Sequence, residues 1–135
     1  MRLKVSIETD IELLHITGKQ IVLQDNIVKE YDEFSEEYET ICKEYESLIG
    51  YERHEDKTKF DEELLKILSE DLKNEQLASI DKIMDVIKTV YKNPKQNSGY
   101  VQIQTAVVNV KDFSCIRIKN FDVRTVSYTH LRAHE

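Results

Sequence analysis

Glycine, proline, cysteine and tryptophan are all scarce: three, one, two and none in 135 residues. A phosphate-cradling loop needs several residues free to take left-handed backbone angles, and three scattered glycines cannot build one. No nucleophile elbow, paired-cysteine metal motif or calcium loop occurs in the sequence. Cys42 and Cys115 fall in different expected elements without metal-type spacing, the pattern of a reduced intracellular protein with two buried thiols. No apolar run approaches the ~20 residues that cross a bilayer. The opening "MRLKVSIETDIELLHI" alternates polar and apolar residues instead of running from charge into an apolar leader. The expectation is a cytoplasmic chain with no membrane contact, no cofactor and no catalytic or metal-binding residues.

What is present is charge and aliphatic side chains. With 40% hydrophobic and 33% charged residues, the composition is that of a globular chain. Residues 1–124 suffice for one domain of ordinary size. The net charge of −7 conceals an asymmetry. Residues 1–81 hold 10 Lys/Arg against 22 Asp/Glu, whereas 82–124 hold 8 against 3. The acidic part repels nucleic acid, although as an acidic surface it could mimic one. The basic part, with Lys82, Lys88, Lys92, Lys95, Lys111, Arg117 and Lys119, would tolerate nucleic acid. Solvated faces of mutually attracting elements explain the same numbers.

Leu3, Val5 and Ile7 alternate over residues 2–8 and predict a half-buried strand. "IELLHI" suits a second short strand or a helical turn. Gly18 breaks it, and "KQIVLQ" suggests another short strand, hence a small meander or hairpin. From Ile27 the spacing changes. Ile27, Tyr31, Phe34, Tyr38, Ile41, Tyr45 and Leu48 recur at alternating intervals of four and three, a heptad seam. It predicts a helix over 26–49, roughly 35 Å long, stopped by Gly50. Seven large side chains on one stripe represent on the order of 10 kcal/mol if mostly buried, so the seam needs a partner helix, from this chain or another.

Leu64, Leu65, Ile67, Leu68 and Leu72 begin that partner, with Asp56 or Thr58 as cap. The stripe resumes from Leu77 to Tyr91. Polar residues at 74–76 predict a kink or split near 73–76, and the first part folds back on the heptad helix as a helical hairpin. After "KNPKQNSG", residues 100–110 alternate Val101, Ile103, Thr105 and Val107 on one face. "KDFS" turns, and "CIRIKNFDV" forms a second strand that slips register near Asn120. The expected fold is α+β: a small antiparallel sheet carrying a long heptad-patterned helix and a kinked or split second helix.

The last ten residues, "VSYTHLRAHE", resemble a translated sequencing-library adapter. Read as GTC TCT TAT ACA CAT CTC CGA GCC CAC GAG, they match a transposon mosaic end followed by its adapter, and Thr125 supplies the required preceding codon ending. The resemblance implies that 125–135 is an adapter-derived tail and that the native sheet continues beyond Arg124. It also removes His130 and His134, which sit four apart like helical metal ligands.

Two further stretches carry resemblances. "IRIKNF" at 116–121 looks like the opening strand of the RecF- and SMC-like ATPases, which implies an enzyme whose nucleotide motif lies downstream. A helix entering "KNPKQNSGYVQI" and then a second strand is similar in layout to the bacterial nucleoid-associated protein family, which implies a nucleic-acid partner. Neither assigns functional residues. The reading favoured by the residues is a non-enzymatic interaction or assembly module, a fragment of a larger protein, with a protein partner at the heptad seam. The alternatives are the leading part of an enzyme and a nucleic-acid-binding protein.

Overall fold

In the computed structural model of the protein, residues 2–127 are described. They form an α+β fold with two helices, one short and one long. β1 (Arg2–His15) and β2 (Gln20–Asp32) form a hairpin closed by His15 N–H donating to the Lys19 carbonyl at 2.8 Å. α1 (Glu36–Ile49) and α2 (Lys57–Lys92) follow, then β3 (Tyr100–Ile103), β4 (Ala106–Asn109) and β5 (Phe113–Ser127). One sheet has the order β2-β1-β5, and β3 pairs antiparallel with β4 in a second. Among the described residues no helix is long and apolar enough to cross a membrane.

Of the meander or hairpin expected at the start, a hairpin forms, and it is long. Alternation in β1 runs through Leu3, Val5, Ile7, Thr9, Ile11 and Leu13, all sealed from solvent. Thr9 hides the continuity in the sequence because a polar residue takes an inward position. Gln76 Nε2 donates to its hydroxyl at 3.3 Å, which removes the cost of an unpaired buried oxygen.

The helix expected over 26–49 is shorter than its heptad pattern. Ile27 and Tyr31 lie on β2, and Phe34 lies in the turn that follows. Residues four apart share a face in a strand as well as in a helix, so this spacing fits both periods. The helix starts where its cap stands. Ser35 has extended backbone angles, and its Oγ accepts from Tyr38 N–H at 3.1 Å, with Glu36, Glu37 and Glu39 in the first turn. Gly50 ends α1 as expected, in the left-handed conformation with φ 102° and its N–H donating to Glu46 O at 2.8 Å.

α2 is continuous over 36 residues, with no break at 73–76. Asp56 caps it, accepting from Lys59 N–H at 3.2 Å. The polar interruption of its apolar stripe has another cause. Backbone contacts divide the chain into two compact units, and the division in α2 falls between Lys73 and Asn74. The first unit holds Ile27–Lys73 with the chain up to Ile7 and from Val123. The second holds Glu8–Asn26 and Asn74–Asp122.

Each unit has its own core. In the first, Leu3, Tyr31, Tyr38, Cys42, Phe60 and Leu64 are buried together, with Ile41, Tyr45 and Leu68 packed on them. In the second, Ile11, Leu13, Ile87, Val90, Val101, Ile103, Val110 and Phe113 form the cluster. The single strand expected at 100–110 is a tight hairpin. Ile103 pairs with Ala106, so Gln104 and Thr105 alone make the turn. Gln104 takes φ 55°, and the reversal leaves Val107 opposite Gln102 on the exposed side while Val101 and Ile103 stay buried. β5 runs unbroken from Phe113 to Ser127. It includes Val126 and Ser127. The remainder of the adapter-like tail, with His130 and His134, lies outside the described residues.

Candidate functional site

The seam residues divide by fate. Tyr31, Tyr38, Ile41 and Tyr45 all reach the first unit's core, though two different elements deliver them. Ile27 is half-buried on β2. Phe34 and Leu48 are left out, 89% and 67% exposed. A continuous seam from Ile27 to Leu48 is therefore not formed. The physical reason is Ser35, whose capping turn separates strand from helix in the middle of the pattern.

Beside Tyr38 lies a groove of about 450 Å³, lined by Phe34, Tyr38, Cys42, Lys43, Arg53, Lys57 and neighbours. Beneath it Arg53 grips Asp61 with two nitrogens, Nε to Oδ1 at 3.0 Å and Nη2 to Oδ2 at 3.2 Å. The same guanidinium reaches Glu33 at 3.1 Å and stacks on the Tyr38 ring, its carbon 5.4 Å from the centroid. The Tyr38 hydroxyl also donates to Asp61. No sequence pattern announces this network. "RHED" at 53–56 reads as a solvated turn, and for His54 and Glu55 that holds, both being exposed. Arg53 is the exception, and no local period links it to a carboxylate eight residues on.

The electrostatics make this cluster a clamp. Burial, reinforced by the hydrogen bond to Asp61, drives the Tyr38 hydroxyl far above its ordinary range. Burial works against the Arg53 charge, but the bonds to Asp61 outweigh it and hold the guanidinium protonated. Burial also pushes the Cys42 thiol up, away from the thiolate that nucleophilic chemistry requires. Tyr45, bonded to Asp71 at 2.7 Å, is pushed up to about 12 by that bond and by burial. None of these groups titrates near neutrality, so the arrangement holds shape better than it moves protons. Among the described residues no group of three or more metal-ligating side chains comes together.

Phe34 directly follows Glu33, the clamp's second carboxylate. Asp32 organises the turn beneath it. Its Oδ1 accepts from Phe34 N–H at 3.1 Å, and its carbonyl accepts from Ser35 N–H at 3.0 Å and from Ser35 Oγ at 2.7 Å. The aromatic ring thus stands in solvent on a fixed backbone.

The seven basic residues do not act as one group. All are exposed. Arg117 is committed to Glu12 through two nitrogens at 2.7 Å, and Lys111 Nζ donates to the Asn97 carbonyl. On α2, Lys88 and Lys92 are four apart and share a flank, while Lys82, six residues before Lys88, faces elsewhere. Lys95 is in the following turn, and Lys119 lies on β5. The expectation of two buried thiols holds for Cys42 only, because Cys115 on β5 is exposed. Comparison with protein-family models, with curated proteins and with solved structures finds no match.

Proposed function

We propose that the protein is a non-enzymatic interaction module whose first unit offers Phe34 as an anchor to a protein partner. The observation that carries this reading is an aromatic side chain 89% exposed on a turn held by three hydrogen bonds. A large apolar group carried on an already ordered backbone has only its side-chain freedom to lose on binding, and such aromatics dominate interface energetics. The groove beside it, rimmed by Lys43, Lys57, Glu39 and Glu46, supplies polar contacts of both signs around that anchor.

The tail from Val126 is read as adapter-derived and the module as part of a larger cytoplasmic protein. On that reading the seam serves assembly within the unit, through Tyr31, Tyr38, Ile41 and Tyr45, and Phe34 faces outward.

Site-specific photo-crosslinking tests the reading. A benzophenone side chain placed at exposed Glu37 should yield a discrete heavier adduct in the producing cells. Phe34→Ser should abolish that adduct without lowering the melting temperature. Adducts that survive Phe34→Ser unchanged would remove the anchor and the reading with it.

A further inference from the structure

A second cavity, of about 260 Å³, lies wholly in the second unit. Isoleucines including Ile11 and Ile80 form its apolar wall, and Asp25, Gln76, Gln102 and Gln104 its polar one. Each of the three amides bonds the protein through its NH₂ group. Gln104 Nε2 donates to the Thr9 carbonyl at 3.4 Å, and Gln102 Nε2 donates to the Gln104 carbonyl at 3.3 Å. A backbone carbonyl can only accept, so both side chains must commit their NH₂ groups to the protein. Gln76 commits its NH₂ to Thr9 Oγ1. Among the described residues, their three side-chain oxygens and the Asp25 carboxylate meet no hydrogen-bond partner.

The Gln76 oxygen is the informative one. Gln76 is 8% exposed, yet among the described residues no fully inaccessible side-chain oxygen or nitrogen lacks a partner. An oxygen without a partner on this buried side chain therefore keeps some access to solvent, and the side chain lines the cavity. Gln104 supports the same wall from a left-handed backbone, φ 55°, a conformation that non-glycine residues hold where surrounding structure enforces it. The cavity thus presents acceptors, one of them charged, against a hydrocarbon wall.

We propose that this cavity binds a small organic cation, one carrying a guanidinium or primary ammonium group on a short carbon chain. Five N–H donors of a guanidinium match a set of acceptors spread over a wall, with Asp25 balancing the charge. A bare metal ion fits poorly, because it needs several oxygens converging within ~2.6 Å, whereas these line a space of about 260 Å³. The carbon chain of the ligand lies along Ile11 and Ile80. The proposal is independent of docking at Phe34.

Agmatine, with a guanidinium at one end and an ammonium at the other, is the probe. Titrated into the full chain, it should shift the backbone amide resonances of residues 76–83 and 102–104 saturably. Its neutral counterpart N-(4-hydroxybutyl)urea should not. Asp25→Asn should weaken agmatine binding at least tenfold. Gln102→Leu, at an exposed position with no role in either core, should weaken it several-fold, while Glu37→Gln in the other unit should leave it unchanged. Equal binding of the neutral compound, indifference to Asp25→Asn, or non-saturating shifts spread over acidic α1 would each overturn the proposal, the last marking an adventitious counter-ion only.

Discussion

Arg53 and Asp61 form a two-pronged ion pair, 3.0 and 3.2 Å, in which the Asp61 side chain is 7% exposed and that of Arg53 20%. Water screens such a pair weakly, so removing Asp61 leaves Arg53 leaning on Glu33 and takes away the acceptor of the Tyr38 hydroxyl. Asp61→Ala is expected to cost about 3 kcal/mol in urea unfolding, of the order found when buried pairs are broken. Asp61→Asn should cost less, because an amide oxygen still accepts from Tyr38. A loss for Asp61→Ala under about 0.5 kcal/mol, typical of surface positions, would mean the clamp does not hold.

Two phenylalanines should behave oppositely. Phe60 is fully buried, edge-on to Tyr51 with centroids 5.9 Å apart. Phe60→Ala should cost about 3–5 kcal/mol through the lost contacts and the cavity left behind. Phe34→Ser should change stability by no more than about 0.5 kcal/mol. Chemical denaturation of the two variants side by side checks both.

Glu12 gives a pH dependence with a definite sign. Burial opposes its ionisation, but hydrogen bonds from Arg117 and Gln20 prevail and hold the carboxyl below the ordinary glutamate value of 4.5. A depressed carboxyl stabilises the fold above the unfolded value and ceases to do so as pH falls through the folded one. Glu12→Gln should therefore be less stable than the parent at pH 7, the two converging only below 4.5. Thermal melts across that range would expose a gap of the wrong sign or one independent of pH.

Gly50 and Gly99 separate backbone strain from crowding. Both have positive φ, 102° and 90°. A Cβ on Gly50 would meet nothing within 4 Å, so Gly50→Ala should cost only the left-handed penalty of about 1–2 kcal/mol. On Gly99 the added carbon would collide with Asn109 Oδ1 and press on the Lys111 side chain. Gly99→Ala should melt lower than Gly50→Ala, and the reverse order would contradict the packing of the β3–β4 hairpin.

These contrasts show where the sequence was readable. The α+β class, the Gly50 stop, the Asp56 cap and the strand character of residues 100–103 follow from local signals. The length of α1 does not, because Ile27 and Tyr31 satisfy both periodicities. Ser35 followed by three glutamates was the available correction, a capping signal outweighed by seven evenly spaced apolar residues. Thr9 and Gln76 hid the unbroken β1 and α2 for one reason: polar residues that satisfy each other in a core look like interruptions along the chain. The Gln104 turn carries no glycine or asparagine to announce it. Arg53 and Asp61 meet only because the chain between them folds, a coincidence that no one-dimensional pattern encodes.

The contrasting burial of the two thiols gives the protein a clock. An alkylating reagent meets Cys115 at once but can reach Cys42 only when the packing around Tyr38 opens. The slow phase of labelling therefore measures how often the first core breathes, on an otherwise unaltered chain and without denaturant.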